Sequence, residues 1–164
     1  MTPHFVFETD PVAKKIRVER VFRAPLANVW KAWTEPELLE KWIVLPHWTA
    51  VTRTMEFTVG GVWLYAMVSP EGQYHWIYAQ FTAIEEGRAI SSIGRFCDAD
   101  GNPLMEGPKS YRDTTFSALD EQRTKIEMVL AFEEAATLNL FVEGGFKEGI
   151  ATTLTRLEEV LAPA

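Results

Sequence analysis

Cysteine is nearly absent from this chain of 164 residues, in which Cys97 is the only one. A single cysteine forms neither an intrachain disulfide nor a cysteine-rich metal site, which is typical of a reducing compartment. The histidines are also few, and His4, His47 and His75 show no spacing typical of metal ligands. The sequence therefore predicts no metal ion and no other cofactor.

Long apolar runs and basic runs are missing as well. No stretch approaches the roughly 20 apolar residues that span a bilayer, and the first residues lack the continuous apolar segment of a signal peptide. We therefore expect a cytoplasmic protein with no membrane span. Sixteen Lys and Arg stand against 23 Asp and Glu, for a net charge of −7. Because nucleic-acid binding needs a basic surface, this balance argues against a nucleic-acid partner.

Aromatic residues, by contrast, are abundant. The chain has six Trp, ten Phe and four Tyr, within a composition of 47% hydrophobic and 24% charged residues that is ordinary for a globular protein. The length suits one domain, so residues 1–164 are assigned to a single domain with its core at about 15–161. So many aromatic side chains require either a large core or a lined cavity.

Apolar periodicity predicts the order of the elements. A strand at 15–22 is followed by two short helices, by about six strands between 51 and 132, and by a long helix from about Phe146 to Leu161. Short turns and the lack of βαβ alternation indicate an antiparallel sheet. The last helix has one apolar stripe and is long enough to cross that sheet. The prediction is an α+β fold, with a curved sheet of six or seven strands around the C-terminal helix.

Several segments resemble the Aha-type family, whose members are similar to the C-terminal domain of the activator of heat-shock-protein ATPase. They are RVFRAP at 20–25, VWKAWTEPEL at 29–38, GGVW at 60–63 and the spacing of Gly149, Ile150, Leu154, Leu157 and Leu161. Ile150 stands where the family usually has Trp. The resemblance implies a helix-grip fold of the START-like (SRPBCC, Bet v-like) superfamily, enclosing an apolar cavity. That superfamily includes lipid carriers, hormone receptors, aromatic cyclases and co-chaperone domains, so the fold alone does not name a function.

Alternating aromatic residues are the candidate cavity wall. Trp63 and Tyr65 share one face of a strand, and Trp76 and Tyr78 share a face of the next. On that second strand Ile77, Ala79 and Phe81 compete for the inner face, and only one of the two sets can take it. A filled core explains the same alternation. The candidate ligand-binding residues are Trp33, Trp42, Trp63, Tyr65, Met67, Trp76, Tyr78, Met128, Leu130, Phe146, Ile150 and Leu154.

Polar residues that could orient a ligand are also present. Arg53, Glu56, Gln80, Arg95 and Asp113 lie on the predicted strands. A buried charge needs a partner, and Arg95 with Glu56 or Asp113 would provide one. Whether any of these side chains faces inward stays open at the level of sequence.

These patterns favour a small-molecule-binding domain that holds an apolar or aromatic ligand, a lipid included, between sheet and C-terminal helix. One alternative is a co-chaperone-like interaction module of the ATPase-activator type, with a chaperone or another protein as partner. Another is a cyclase or hydrolase of the same superfamily. Since no nucleophile motif or paired carboxylate is visible, no catalytic residue is assigned. An exposed strand edge also leaves a homodimer open.

Overall fold

The structure is a computed structural model, and it describes residues 4–102, 104 and 109–162. In this part of the chain there are eight strands and four helices. They are β1 (Phe5–Asp10), β2 (Lys15–Phe22), α1 (Leu26–Thr34), α2 (Pro36–Trp42), β3 (Thr49–Met55), β4 (Val62–Val68), β5 (Tyr74–Glu85), β6 (Ala89–Phe96), β7 (Lys109–Asp120), β8 (Arg123–Ala131), α3 (Ala135–Glu143) and α4 (Phe146–Leu161).

All eight strands form one curved, unclosed antiparallel sheet in the order β1-β2-β8-β7-β6-β5-β4-β3. The segment with α1 and α2 carries the chain from β2 to the opposite edge of the sheet. The C-terminal helix α4 lies within the curve. This architecture confirms the predicted helix-grip fold, with eight strands instead of six or seven.

Two elements were not predicted from the sequence. Strand β1 is an edge strand without a fully buried side chain, so its alternation is short and weak. Helix α3 buries only Leu138, while Leu140 and Val142 are exposed, so its apolar residues form no single stripe. Both elements therefore depend on their neighbours more than on a local pattern.

The core is completely filled where strands β2 and β8 face helix α4. Strands β2 and β8 bury every second side chain, and their register pairs Ile16 with Leu130 and Val18 with Met128. Helix α4 buries Leu154 and Leu157 in the same core. The sheet continues through β7, β6, β5 and β4, and it is against those strands that the interior is not completely filled.

Candidate functional site

Small residues on the inner face of the sheet create the unfilled space. The register places Trp63, Ala79, Gly94 and Ser110 side by side across β4, β5, β6 and β7. A Cβ built on Gly94 would lie only 3.2 Å from the Ser110 hydroxyl oxygen. Three neighbouring strands thus contribute almost no side-chain volume to this row. Helix α4 alone does not fill the gap, and a cavity of about 310 Å³ remains.

The cavity wall comes from the sheet, from α1 and α2, and from α3 and α4. Its lining residues are Trp33, Leu39, Trp42, Ile43, Trp63, Tyr65, Met67, Ile77, Ala79, Phe81, Ile90, Ser92, Gly94, Arg95, Phe96, Ser110, Arg112, Thr114, Met128, Phe141, Phe146 and Ile150. Most of these described residues are apolar, and none of them is Asp or Glu.

Most of the candidate residues border this cavity. They are Trp33, Trp42, Trp63, Tyr65, Met67, Met128, Phe146 and Ile150. The structure thus brings residues from both short helices, two strands and the C-terminal helix around one space. Their contact with a ligand stays a prediction.

Four of the candidate residues lie elsewhere. Trp76 and Tyr78 are on the outer face of the sheet, because Ile77 and its neighbours on alternate positions take the inner face. Trp76 stacks there on Tyr74, with 6.0 Å between ring centroids. Leu130 and Leu154 are fully buried in the filled part of the core and do not border the cavity.

Aromatic side chains hold the cavity wall in place. Trp63 stacks on Tyr65 with 3.7 Å between ring centroids, and its indole N–H donates to the Thr52 hydroxyl at 3.1 Å. On the opposite side, the rings of Trp33 and Trp42 lie 4.7 Å apart. The Trp42 indole N–H donates to the backbone carbonyl of Ala32 at 2.9 Å. These contacts fix flat apolar surfaces of the kind that bind aromatic ligands.

The polar part of the wall is centred on Arg112. This residue lies on β7 between Ser92 of β6 and Leu130 of β8, all on the inner face of the sheet. Burial lowers its pKa, and nearby Tyr65 partly offsets that effect. Burial also raises the pKa of Tyr65 to about 12, against the opposing influence of Arg112. The cavity therefore holds a guanidinium and a phenol within electrostatic reach of one another.

Sequence reasoning missed Arg112. It considered Asp113, which is exposed on the other face of β7, and it considered Arg95. Arg95 borders the cavity, but the register pairs it with Tyr78 and Lys109 on the outer face. The sequence does contain a pattern that identifies Arg112. The regular alternation of β8 indicates that Leu130 faces inward, and a hairpin across 120–122 pairs Leu130 with Arg112.

Of the other polar candidates, Arg53, Glu56 and Gln80 are not among the lining residues. Arg53 instead donates a hydrogen bond to the backbone carbonyl of Ala99. The pairings of Arg95 with Glu56 or Asp113 are not formed among the described residues, where the Arg95 Nε is buried without a hydrogen-bond partner.

Because of Tyr65, the stability of the fold should decrease with rising pH in the alkaline range. Its phenol ionises at a pKa of about 12 in the folded protein, against about 10 in an unfolded chain. The folded state thus favours the neutral phenol, so this contribution to stability is complete below about pH 10 and is lost as pH rises towards about 12. Between those limits, wild type should lose about 3 kcal/mol more stability than Tyr65→Phe. Urea unfolding of both proteins at about pH 9 and 12 measures the difference, and parallel losses would contradict a buried phenol.

No cluster of three His, Cys, Asp or Glu side chains that could hold a metal ion occurs within residues 4–102, 104 and 109–162. Over the same residues, none of the helices combines the length and the apolar character needed to cross a membrane.

The curved sheet, the long C-terminal helix and the cavity between them define a helix-grip domain of the START-like class. Residues 23–162 match the model of the family described as activator of Hsp90 ATPase homolog 1-like protein, and the chain belongs to this family. The resemblance noted in the sequence is thereby confirmed.

Solved structures support the same fold. A protein from Arthrobacter aurescens is 31% identical, with a TM-score of 0.88 over 97% of this chain and 92% of its own. A protein from Mycobacterium smegmatis is 24% identical, with a TM-score of 0.87 over 98% and 99% of the two chains. One from Staphylococcus epidermidis is 22% identical, with a TM-score of 0.85 over 95% and 93%. None of the curated proteins matches this chain.

Proposed function

We propose that this domain binds an apolar or aromatic small molecule in the cavity between the sheet and α4. The observation that carries the proposal is the space of about 310 Å³ with a mostly apolar wall. Ligand-binding cavities usually measure about 300–1,000 Å³ and combine apolar walls with a few polar groups. Burying a flat ligand there contributes about 25 cal/mol per Å² of apolar surface before the costs of association.

The size of the cavity restricts the ligand. A volume of about 310 Å³ lies at the lower end of the range for ligand-binding cavities. Trp63 and Tyr65, whose rings stack on one another, both border this space. A compact molecule with two or three rings suits this shape better than a lipid with two long acyl chains.

A catalytic function is less well supported by the same wall. Tyr65 and Arg112 are two ionisable groups in the cavity, which is the arrangement that a cyclase or hydrolase would need. Burial moves the pKa of Tyr65 to about 12, far from neutral pH. Efficient general acids and bases have pKa values near the working pH. We therefore assign both groups to ligand binding.

An interaction module of the co-chaperone type would function through its surface, and a filled interior would be sufficient for it. The row of small residues around Ala79 and Gly94 has no purpose in such a module. A binding function accounts for this row directly, because the row provides the volume for the ligand.

A probe titration with a cavity-filling variant tests the proposal. N-phenyl-1-naphthylamine is neutral and fluoresces more strongly in an apolar site. Ala79 borders the cavity between Trp63 and Gly94, so Ala79→Phe places a ring in the space and should weaken probe binding at least about tenfold, the effect of losing roughly 1.4 kcal/mol. Fluorescence titration of both proteins measures the effect.

The matched control is Ala83→Phe on the same strand, where Ala83 is exposed. This variant should bind the probe as wild type does. Equal binding by wild type and Ala79→Phe would contradict a ligand in this cavity, as would a wild-type protein that does not bind the probe at all.

A further inference from the structure

Arg112 is a cation in a cavity whose described wall has no acidic side chain. Among the lining residues that the structure describes, none is Asp or Glu. Within the described residues Arg112 takes part in no ion pair, and Tyr65 is the only titratable group there that acts on its pKa. In a chain with 23 acidic residues against 16 basic ones, the described part of the cavity wall thus has the opposite charge balance to the whole chain.

The fold does not explain this arginine by its own contacts. Arg20 provides the comparison, since it is buried on β2 and its Nη2 has no described partner, but its Nη1 donates to the Val21 carbonyl at 2.7 Å and its guanidinium lies 4.9 Å from the ring centroid of Phe22. Arg112 has no such hydrogen bond to a described residue. Arg112 is half-buried, with its guanidinium in the cavity. Because a charge held out of bulk water without a partner destabilises a fold, its position indicates a partner that arrives from outside.

The groups around Arg112 specify the chemistry of that partner. A guanidinium offers only N–H donors, in a planar arrangement that matches the two oxygens of a carboxylate. The Tyr65 hydroxyl and the hydroxyls of Ser92 and Ser110 also border the cavity and can donate. A carboxylate accepts such hydrogen bonds through two oxygens, whereas a neutral amide accepts through one oxygen and places its N–H donors where the second oxygen would lie.

We propose that the ligand is an amphipathic monoanion, namely a compact aromatic carboxylate or an equivalent acid. Its acidic group binds Arg112, with Tyr65 as a second donor, and its rings lie against Trp63. This inference rests on the proposed function, because it concerns the same cavity. It adds the charge of the ligand and the residue that recognises that charge.

Two ligands of equal shape separate charge from apolar binding. 2-Naphthoate is anionic at pH 7, and 2-naphthamide is its neutral counterpart. Calorimetric titration should show that wild type prefers 2-naphthoate at least about tenfold, because hydrogen bonds to charged groups are the stronger ones. Arg112→Met should remove this preference and leave 2-naphthamide binding within about twofold of wild type.

The control variant is Arg88→Gln, which also removes one positive charge. Arg88 is exposed in the turn between β5 and β6 and does not border the cavity. It should retain the full preference for 2-naphthoate. A preference lost equally in Arg88→Gln and Arg112→Met would reflect net charge alone and would overturn the inference.

The melting temperature of the ligand-free protein separates a ligand-binding role of Arg112 from a structural one. Arg112→Met removes a half-buried charge that has no described partner, so its melting temperature should equal or exceed that of wild type. A clear decrease would mean that Arg112 supports the fold, and it would overturn the inference. Arg112→Lys keeps the charge without the planar donor pair and should lose affinity for 2-naphthoate but not for 2-naphthamide.

The outcomes distinguish this inference from the proposed function. If 2-naphthamide binds as tightly as 2-naphthoate, or if only N-phenyl-1-naphthylamine binds, the inference fails and the proposed function stands. If none of the three molecules binds wild type, both fail.

Discussion

Replacing Trp42 with alanine should lower the free energy of unfolding by about 3–5 kcal/mol, the usual cost of deleting a large buried aromatic side chain. Trp42 is only 1% exposed, and it connects α2 to α1 through its hydrogen bond to Ala32 and its ring contact with Trp33. The substitution therefore removes apolar burial and leaves the Ala32 carbonyl without this donor. Urea unfolding followed by circular dichroism measures the loss.

Two further variants separate the causes of that loss. Trp42→Phe keeps most of the apolar volume and should lose only about 1–2 kcal/mol, chiefly from the missing hydrogen bond. Trp48→Ala removes a tryptophan that is only partly buried and whose ring lies 5.5 Å from that of His75 in a tilted arrangement. If Trp48→Ala is as destabilising as Trp42→Ala, the structure's account of how α1 and α2 are anchored is wrong.

Introducing tryptophan at two positions one turn apart on α4 should have opposite results. Leu154 is fully buried in filled core, so Leu154→Trp should cost about 1–3 kcal/mol or more by overpacking. Ile150 borders the cavity, so Ile150→Trp should keep wild-type stability within about 1 kcal/mol, because the new ring enters empty space. The same ring should reduce binding of N-phenyl-1-naphthylamine at least about tenfold.

Thermal unfolding and probe titration of both variants give the comparison. Equal destabilisation by the two substitutions would show that the space beside Ile150 is not available to a side chain. Ile150 stands where the resemblance implies a tryptophan in most members of the family. The variant therefore also measures how far Ile150 enlarges this end of the cavity.

The sequence predicted those parts of the fold in which local pattern and burial agree. The bounds of α4 follow from one apolar stripe after Gly144 and Gly145, and β8 alternates regularly because one face is buried against α4. The family resemblance then supplied the curvature and the cavity. Strand β1 and helix α3 were not predicted because neither element buries a complete face.

The site was harder to predict because its determinants combine residues from different strands. The sequence alone did not show which face of β5 points inward, since both Trp76 and Ile77 are residues that cores accept. The pairing of Ile77 with Tyr65 shows that Ile77 lies on the inner face. Arg112 was missed because Asp113, its neighbour on the opposite face of β7, was chosen as the candidate on that strand. The row of small residues that leaves the cavity open becomes visible only when the register of β4 to β7 is known.

The most direct measurement of the central claim is a set of intermolecular nuclear Overhauser effects between bound N-phenyl-1-naphthylamine and methyl groups of the protein. The account predicts contacts to the methyl groups of Ile77, Met128 and Ile150, which surround the cavity. Contacts confined to Leu140 and Val142, which are exposed on α3, would place the guest on the surface and contradict an internal binding site.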